Sequence, residues 1–153
     1  MITIYTDGAS RGNPGPGGWG AIITYNNRVV ELGGGETHTT NNRMELMAAI
    51  KALESIPDKE VTVCADSEYV TKGMTEWIQR WQKKGWRTTG RKPVLNQDLW
   101  QRLIELTEGR KVEWKYVAGH AGVPLNERAD EIATTFADNF TPALYDGPKD
   151  KYK

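Results

Sequence analysis

The sequence predicts an α/β fold: a five-stranded mixed sheet, built from a three-stranded antiparallel meander plus two parallel strands, flanked by helices. Three observations predict it. Alternating or β-branched runs at Ile2 to Thr6, Gly20 to Tyr25 and Arg28 to Leu32 follow one another closely, and Asn26-Asn27 between the last two is a two-residue hairpin turn. A helical apolar repeat then leads to a fourth run, Val61 to Ala65; a strand, helix and strand in this order imply a right-handed crossover that lays strand four parallel to strand one. The length of 153 residues suits one domain, able to bury roughly two thirds of the surface its unfolded chain would expose.

The elements follow in order. The first strand runs into a glycine-rich stretch, Gly8 to Gly20, with Asp7 where the strand is expected to end. Gly33-Gly34-Gly35 interrupts or ends the third strand. Met44, Met47, Ala48, Ile50 and Leu53 recur at helical spacing, with Asn42 as the expected N-cap and Pro57 as the breaker. Beyond Asp66, short helices are expected over Ser67 to Met74 and Glu76 to Lys84, the latter stopped by Gly85. Asn96 to Thr107 is amphipathic and ends before Gly109, Val112 to Val117 is the fifth strand, and Leu125 to Asn139 is a final helix with Ala129, Ile132, Ala133 and Phe136 on its apolar stripe. Residues 141–153, with Pro142, Gly147, Pro148 and three lysines, read as a loosely held tail.

Composition excludes several classes. Apolar residues at 38% and charged residues at 26% are globular proportions, so disorder is not expected. The single Cys64 rules out an internal disulfide and suits a reducing compartment. No apolar stretch approaches the roughly 18 residues needed to span a bilayer, and a soluble, cytoplasmic protein is expected. Formal charge is zero, but between Lys72 and Lys92 seven basic residues face one acid, Glu76, so one part of the molecule can attract a polyanion while an acidic remainder collects cations.

Strand alternation puts Asp7 on the side of Thr3 and Tyr5, and Asp66 on the side of Thr62 and Cys64. If strands one and four are parallel neighbours, the two carboxylates meet at the carboxyl edge of the sheet, where open α/β sheets bind ligands. Two like charges about 4 Å apart repel by on the order of 4 kcal/mol at an effective dielectric near 20. Such a pair needs a proton or a divalent cation between its members. Glu45 and Asp130 are placed to join, although Glu45 would also serve a capping box with Asn42, Asp130 would also serve as a solvated acid near a helix start, and Asp7 alone could be a turn residue. An all-oxygen set suits Mg²⁺ or Mn²⁺ rather than zinc.

Four blocks carry a resemblance: Tyr5-Thr6-Asp7-Gly8-Ala9 with Gly12-Asn13-Pro14-Gly15, Thr39-Thr40-Asn41-Asn42-Arg43-Met44-Glu45-Leu46, Asp66-Ser67-Glu68-Tyr69-Val70, and Gly119-His120-Ala121-Gly122 with Asn126-Glu127-Arg128-Ala129-Asp130. In this order and spacing the chain resembles ribonuclease H, type 1, over residues 1–140, with 72–94 similar to the family's basic protrusion. The resemblance implies a ribonuclease H-like fold and an endonuclease that hydrolyses the RNA strand of RNA/DNA hybrids. It implies Asp7, Glu45, Asp66 and Asp130 as ligands of two Mg²⁺ ions, with Mn²⁺ as an alternative, and products ending in 5′-phosphate and 3′-hydroxyl. By the same resemblance His120 is a mobile proton carrier, as opposed to a surface loop histidine.

Family positions for the RNA strand are Ser10, Asn13, Asn41, Asn42 and Glu68, which doubles as turn chemistry for the Asn residues. For the DNA strand they are Thr40 and Trp77, with Arg80, Lys83, Lys84, Trp86 and Arg87 along the backbone, while for Trp81 and Trp86 packing of the protrusion onto the body is the favoured role. Glu68 and Arg80 depart from the amide and small polar residue common in the family. A monomer with no obligate protein partner is expected; the alternatives are a catalytically silent hybrid-binding module and a DNA-cutting nuclease on the same fold.

Overall fold

The structure, a computed structural model, describes residues 2–88, 90–117 and 123–152. Its elements are β1 (Ile2–Ser10), β2 (Gly15–Thr24), β3 (Arg28–Thr39), α1 (Asn41–Glu54), β4 (Glu60–Ala65), α2 (Glu68–Lys72), α3 (Ile78–Lys83), α4 (Gln97–Thr107), β5 (Lys111–Tyr116), α5 (Pro124–Ala137) and β6 (Asp146–Pro148). The sheet runs in the order β5-β4-β1-β2-β3-β6, with the β1–β4 and β4–β5 pairs parallel and the others antiparallel. The expected crossover is present, in register from Ile2↔Val61 to Thr6↔Ala65. The Asn26-Asn27 turn closes with the Tyr25 N–H on the Arg28 carbonyl at 2.8 Å.

Two layers cover the sheet. On one face Ile2, Ile4, Val61 and Val63 pack with Leu46, Ile50 and Leu53 of α1 and with Trp100 and Leu103 of α4. On the other, Ile22 and Val29 pack with Ala129 and Ile132 of α5. Gly18, Gly20, Gly33 and Gly35 belong to this second layer. A Cβ on Gly20 would stand 2.5 Å from the Ala129 carbonyl oxygen, and one on Gly33 2.6 Å from Ile132 Cγ2, so α5 lies closer to the sheet than any side chain on those strands would permit.

That close approach corrects two expectations. β2 begins at Gly15, not Gly20, and β3 runs through Gly33-Gly34-Gly35 to Thr39, because Gly33 and Gly35 mark contact with α5 and Gly34 makes room for the Trp19 ring, and all three leave the ladder intact. A third correction is the strand count. The sheet has six strands, not five: residues 146–148 pair with Arg28 to Val30 of β3. The tail is joined further through the Glu31 N–H on the Tyr145 carbonyl at 2.7 Å and the packed rings of Tyr145 and Tyr152, 5.0 Å apart. Pro and Gly content argued for a loose segment; an acid in β3 supplies the partner that local sequence does not reveal.

Helix boundaries shift for similar reasons. Thr40, not Asn42, caps α1, its Oγ1 accepting from the Arg43 N–H at 3.2 Å, so Asn41 and Asn42 form the exposed first turn. The two helices expected after Asp66 are one run, in which a π-helical turn, Gly73–Trp77, joins α2 to α3. Gly73 sits under the Trp100 ring, where a Cβ would stand 2.0 Å from Trp100 Cη2.

Candidate active site

The parallel ladder between β1 and β4 stops at Thr6↔Ala65, but β1 continues beside β2, with Asp7 opposite Gly20. Asp7 is therefore inside a strand and not at its end, as the sequence suggested; what ends there is its neighbour β4. Just past the point where β4 leaves, the Gly8 N–H donates both to Asp7 Oδ1 at 2.8 Å and to Glu45 Oε1 at 2.6 Å. Gly8 admits this contact because a Cβ on it would lie 2.4 Å from the Glu45 backbone nitrogen. Glu45 thus points from α1 to the strand and does not close a capping box.

Asp66 follows β4 directly. Ligand oxygens of Asp7, Glu45 and Asp66 lie within 4.8 Å of one another, with Asp7 and Glu45 buried. Asp130, exposed on α5, stands outside that trio yet close enough to push the Asp7 carboxyl upward. Burial is the main cause of the raised Asp7 pKa, followed by the negative charges of Glu45 and Asp66; burial likewise raises Glu45, against the opposing Gly8 hydrogen bond. Among the described residues Asp7 Oδ2 and Glu45 Oε2 are buried and have no hydrogen-bond partner. Orphaned carboxylate oxygens of this kind, aimed at one another in a cluster with no Cys or His, fit a hard divalent cation.

The substrate-side residues surround this cluster. Asn13 Oδ1 accepts from the Asn41 N–H at 3.0 Å and lies 3.4 Å from Ser10 Oγ, which joins the glycine-rich turn to the start of α1. Glu68 is paired with Lys72 at 3.3 Å on the exposed side of α2, so its charge is partly answered within the same helix. Arg80, Lys83, Lys84 and Arg87 are exposed. Trp77 and Trp86 are half-buried at opposite ends of an aromatic row: Trp77 and Trp81 are 5.8 Å apart, Trp81 and Trp86 6.0 Å, and Trp81 and Trp100 5.4 Å. Packing onto the body is thus a role that Trp81 and Trp86 do have. His120 lies outside the described residues.

Sequence reasoning missed a second buried polar group on the same sheet. Glu31 of β3 is buried, and each of its oxygens accepts two hydrogen bonds: Oε1 from Arg128 Nη2 at 3.0 Å and the Tyr145 N–H at 2.9 Å, Oε2 from Arg128 Nε at 2.8 Å and Tyr152 Oη at 2.6 Å. The available signal was parity, since Glu31 shares a strand face with Val29, a core residue. An acid on the apolar side of a strand demands a partner.

A family model described as RNase H matches residues 1–138. The chain is 59% identical over 134 residues to the ribonuclease H of Maricaulis maris, covering 86% of this chain and 90% of that one. It is 55% identical over 138 residues to the ribonuclease H of Methylococcus capsulatus, covering 90% and 89%. A type 1 RNase H with the type 2 active-site motif superposes with a TM-score of 0.83 at 35% identity, over 95% of this chain and 76% of that one. A second RNase H1, crystallised in complex with an RNA/DNA hybrid, gives 0.68 at 30% identity, over 91% and 98%.

Proposed function

The chain belongs to the ribonuclease H family, and from that premise we propose that it is an endonuclease hydrolysing the RNA strand of RNA/DNA hybrids with the aid of divalent cations held by Asp7, Glu45, Asp66 and Asp130. The observation that carries the reading is the trio of carboxylates within 4.8 Å, two of whose buried oxygens have no partner among the described residues. Mg²⁺ is the cation of choice, two ions with substrate, and Mn²⁺ a substitute; when bound, they supply Lewis-acid stabilisation of the phosphate and a more acidic water.

The residues divide the work. The Gly8 N–H holds one oxygen each of Asp7 and Glu45, leaving the second oxygen of each for the cations. Asp130, on the exposed side, suits exchange as substrate arrives and product leaves. Water attacks phosphorus and the bond to the 3′ oxygen breaks, so the products carry 5′-phosphate and 3′-hydroxyl ends. His120 moves a proton at the exit. Ser10, Asn13, Asn41, Asn42 and Glu68 meet the 2′-hydroxyl-bearing strand. Thr40, Trp77, Arg80, Lys83, Lys84, Trp86 and Arg87 follow the DNA backbone.

All four carboxylates come from one chain, which supports action as a monomer. The buried, unpaired Cys64 suits a reducing, cytoplasmic setting. Cleavage with Mg²⁺ of a labelled hybrid, double-stranded RNA and double-stranded DNA tests the whole reading. Only the RNA strand of the hybrid is cut; binding without cleavage, or cutting of the DNA strand, refutes it.

A further inference from the structure

α5 brings Asp130 to the acid cluster, yet its first turn has no side-chain cap: Val123 precedes it and Pro124 opens it. Its apolar side rests on strand positions where glycine replaces a side chain, which sets its height above the sheet, and Ala129 and Ile132 pack there with Ile22 and Val29. Two Arg–carboxylate forks add polar restraints to that packing. At the far end Arg11 holds Asp138 through Nε at 2.5 Å and Nη2 at 2.8 Å. At the near end Arg128, two residues before Asp130, grips Glu31 at 2.8 and 3.0 Å.

We propose that Arg128, seated on Glu31, is a positioning residue for Asp130, and that the C-terminal segment is the strap that keeps Glu31 oriented. This rests on the reading of Asp130 as a catalytic carboxylate. At about 100° per residue, positions 128 and 130 project roughly 200° apart. A fork that fixes one side of the helix therefore fixes the rotation at which the other side is presented. The anchor is rigid because all four lone-pair directions of Glu31 are used, two by Arg128 and one each by the Tyr145 N–H and the Tyr152 hydroxyl. Arg128 also donates from Nη2 to the Ala143 carbonyl at 2.9 Å, so the same side chain ties the strap to the helix. Glu131 pairs with Arg128 from the exposed side, completing the group around the guanidinium.

The test is a double-mutant cycle on the full chain: wild type, Arg128→Lys, Asp130→Asn and the double variant. Two readouts are taken well below each variant's Tm: kcat and KM on a labelled hybrid, and Mn²⁺ binding to the substrate-free protein by water-proton relaxation. Lysine keeps the charge and loses the fork. Arg128→Lys is expected to lower kcat by about tenfold and to weaken Mn²⁺ binding several-fold, in the range for residues that orient metal ligands, with KM for the hybrid within about twofold. In the Asp130→Asn background the same change has no further effect on either readout. An equal loss in both backgrounds, or no loss in wild type, overturns the positioning role. Asp130→Asn that alone leaves kcat and Mn²⁺ binding unaltered overturns the reading of Asp130 beneath it, a result distinct from the first two. Should Arg128→Lys fail to fold, Tyr152→Phe, which removes a single hydrogen bond to Glu31, replaces it: a fall in kcat of about twofold confined to the Asp130 background supports the strap, and a fall in both backgrounds refutes it.

Discussion

Asp7 and Glu31 are buried carboxylates whose side chains face the α5 side of one sheet, on β1 and β3, and their surroundings are opposite. Glu31 receives four hydrogen bonds, two of them from a guanidinium, and its pKa is lowered: burial alone would raise it, but Arg128, the Tyr152 hydroxyl and the Tyr145 N–H outweigh burial. Asp7 receives one N–H, faces Glu45 and Asp66, and its pKa is raised by burial and by those charges. The difference separates an acid that holds the fold from an acid that waits for a cation. Burial is the same; what differs is whether the protein supplies the positive charge itself.

The largest expected effect breaks this contrast at Asp7. Asp7→Asn lowers kcat on the hybrid by on the order of 10³-fold or more, since it removes a ligand the chemistry requires, while thermal unfolding of the metal-free protein shows Tm unchanged or higher. Marked unfolding would make Asp7 a structural acid like Glu31. The converse substitution, Glu31→Gln, deprives a fork of its charge. Breaking a fully buried pair costs about 3–5 kcal/mol; because Arg128 keeps 26% of its side-chain surface in solvent, the expected loss here is about 2–3 kcal/mol, or about 5–10 °C in Tm.

Mass action gives the next effect. Mg²⁺ at about 100 times its dissociation constant stabilises wild type by about 2.7 kcal/mol. In Asp7→Asn the shift in Tm at that concentration collapses, and in Glu31→Gln it is reduced but persists. The pH dependence follows with opposite signs. Glu31 is lowered, so its stabilisation is fully present above the unfolded carboxyl value, about 4.3, and is lost as pH falls through the folded value. Asp7 is raised, so in chelator its cost grows as pH rises above about 3.9, and Asp7→Asn gains on wild type from pH 4 upward. Urea unfolding at several pH values in chelator checks both; a common sign for the two variants would contradict the contrast. The smallest effect sharpens it: Tyr152→Phe removes one of the four donors to Glu31 and costs about 1–2 kcal/mol in urea unfolding, while the Mg²⁺-induced shift falls by no more than about 0.4 kcal/mol, the equivalent of a twofold change in affinity.

Much of this was legible before the structure. Val61 to Ala65 after a helical repeat implied the parallel neighbour of Ile2 to Thr6, and the ladder from Ile2↔Val61 to Thr6↔Ala65 is that pairing. Asp7 and Asp66 were expected to meet across it, and they do, with Glu45. The glycines were harder to read. Gly33-Gly34-Gly35 has the local signature of a strand end, whereas its causes are Ile132 and Phe136 of α5, a hundred residues further on, against Gly33 and Gly35, and the Trp19 ring against Gly34. Asn42 suited an N-cap as well as Thr40 did, and backbone direction at the end of β3 chose between them.

What the sequence determined by itself were the properties that alternation and order encode: which strands pair, which parity faces the core, and which acids fall on the polar parity near one sheet edge. Short-range rules suffice there, because a two-residue strand period and a right-handed crossover leave few alternatives. Only the tertiary structure decided which buried acid is satisfied. Asp7 and Glu31 are equally anionic in the chain, but Arg128, Tyr145 and Tyr152 converge on Glu31 from positions about a hundred residues away, while Glu45 and Asp66 converge on Asp7. The sign of a carboxylate's environment depends on groups brought together through space, and that is fixed when α5 and the C-terminal strand dock on the sheet.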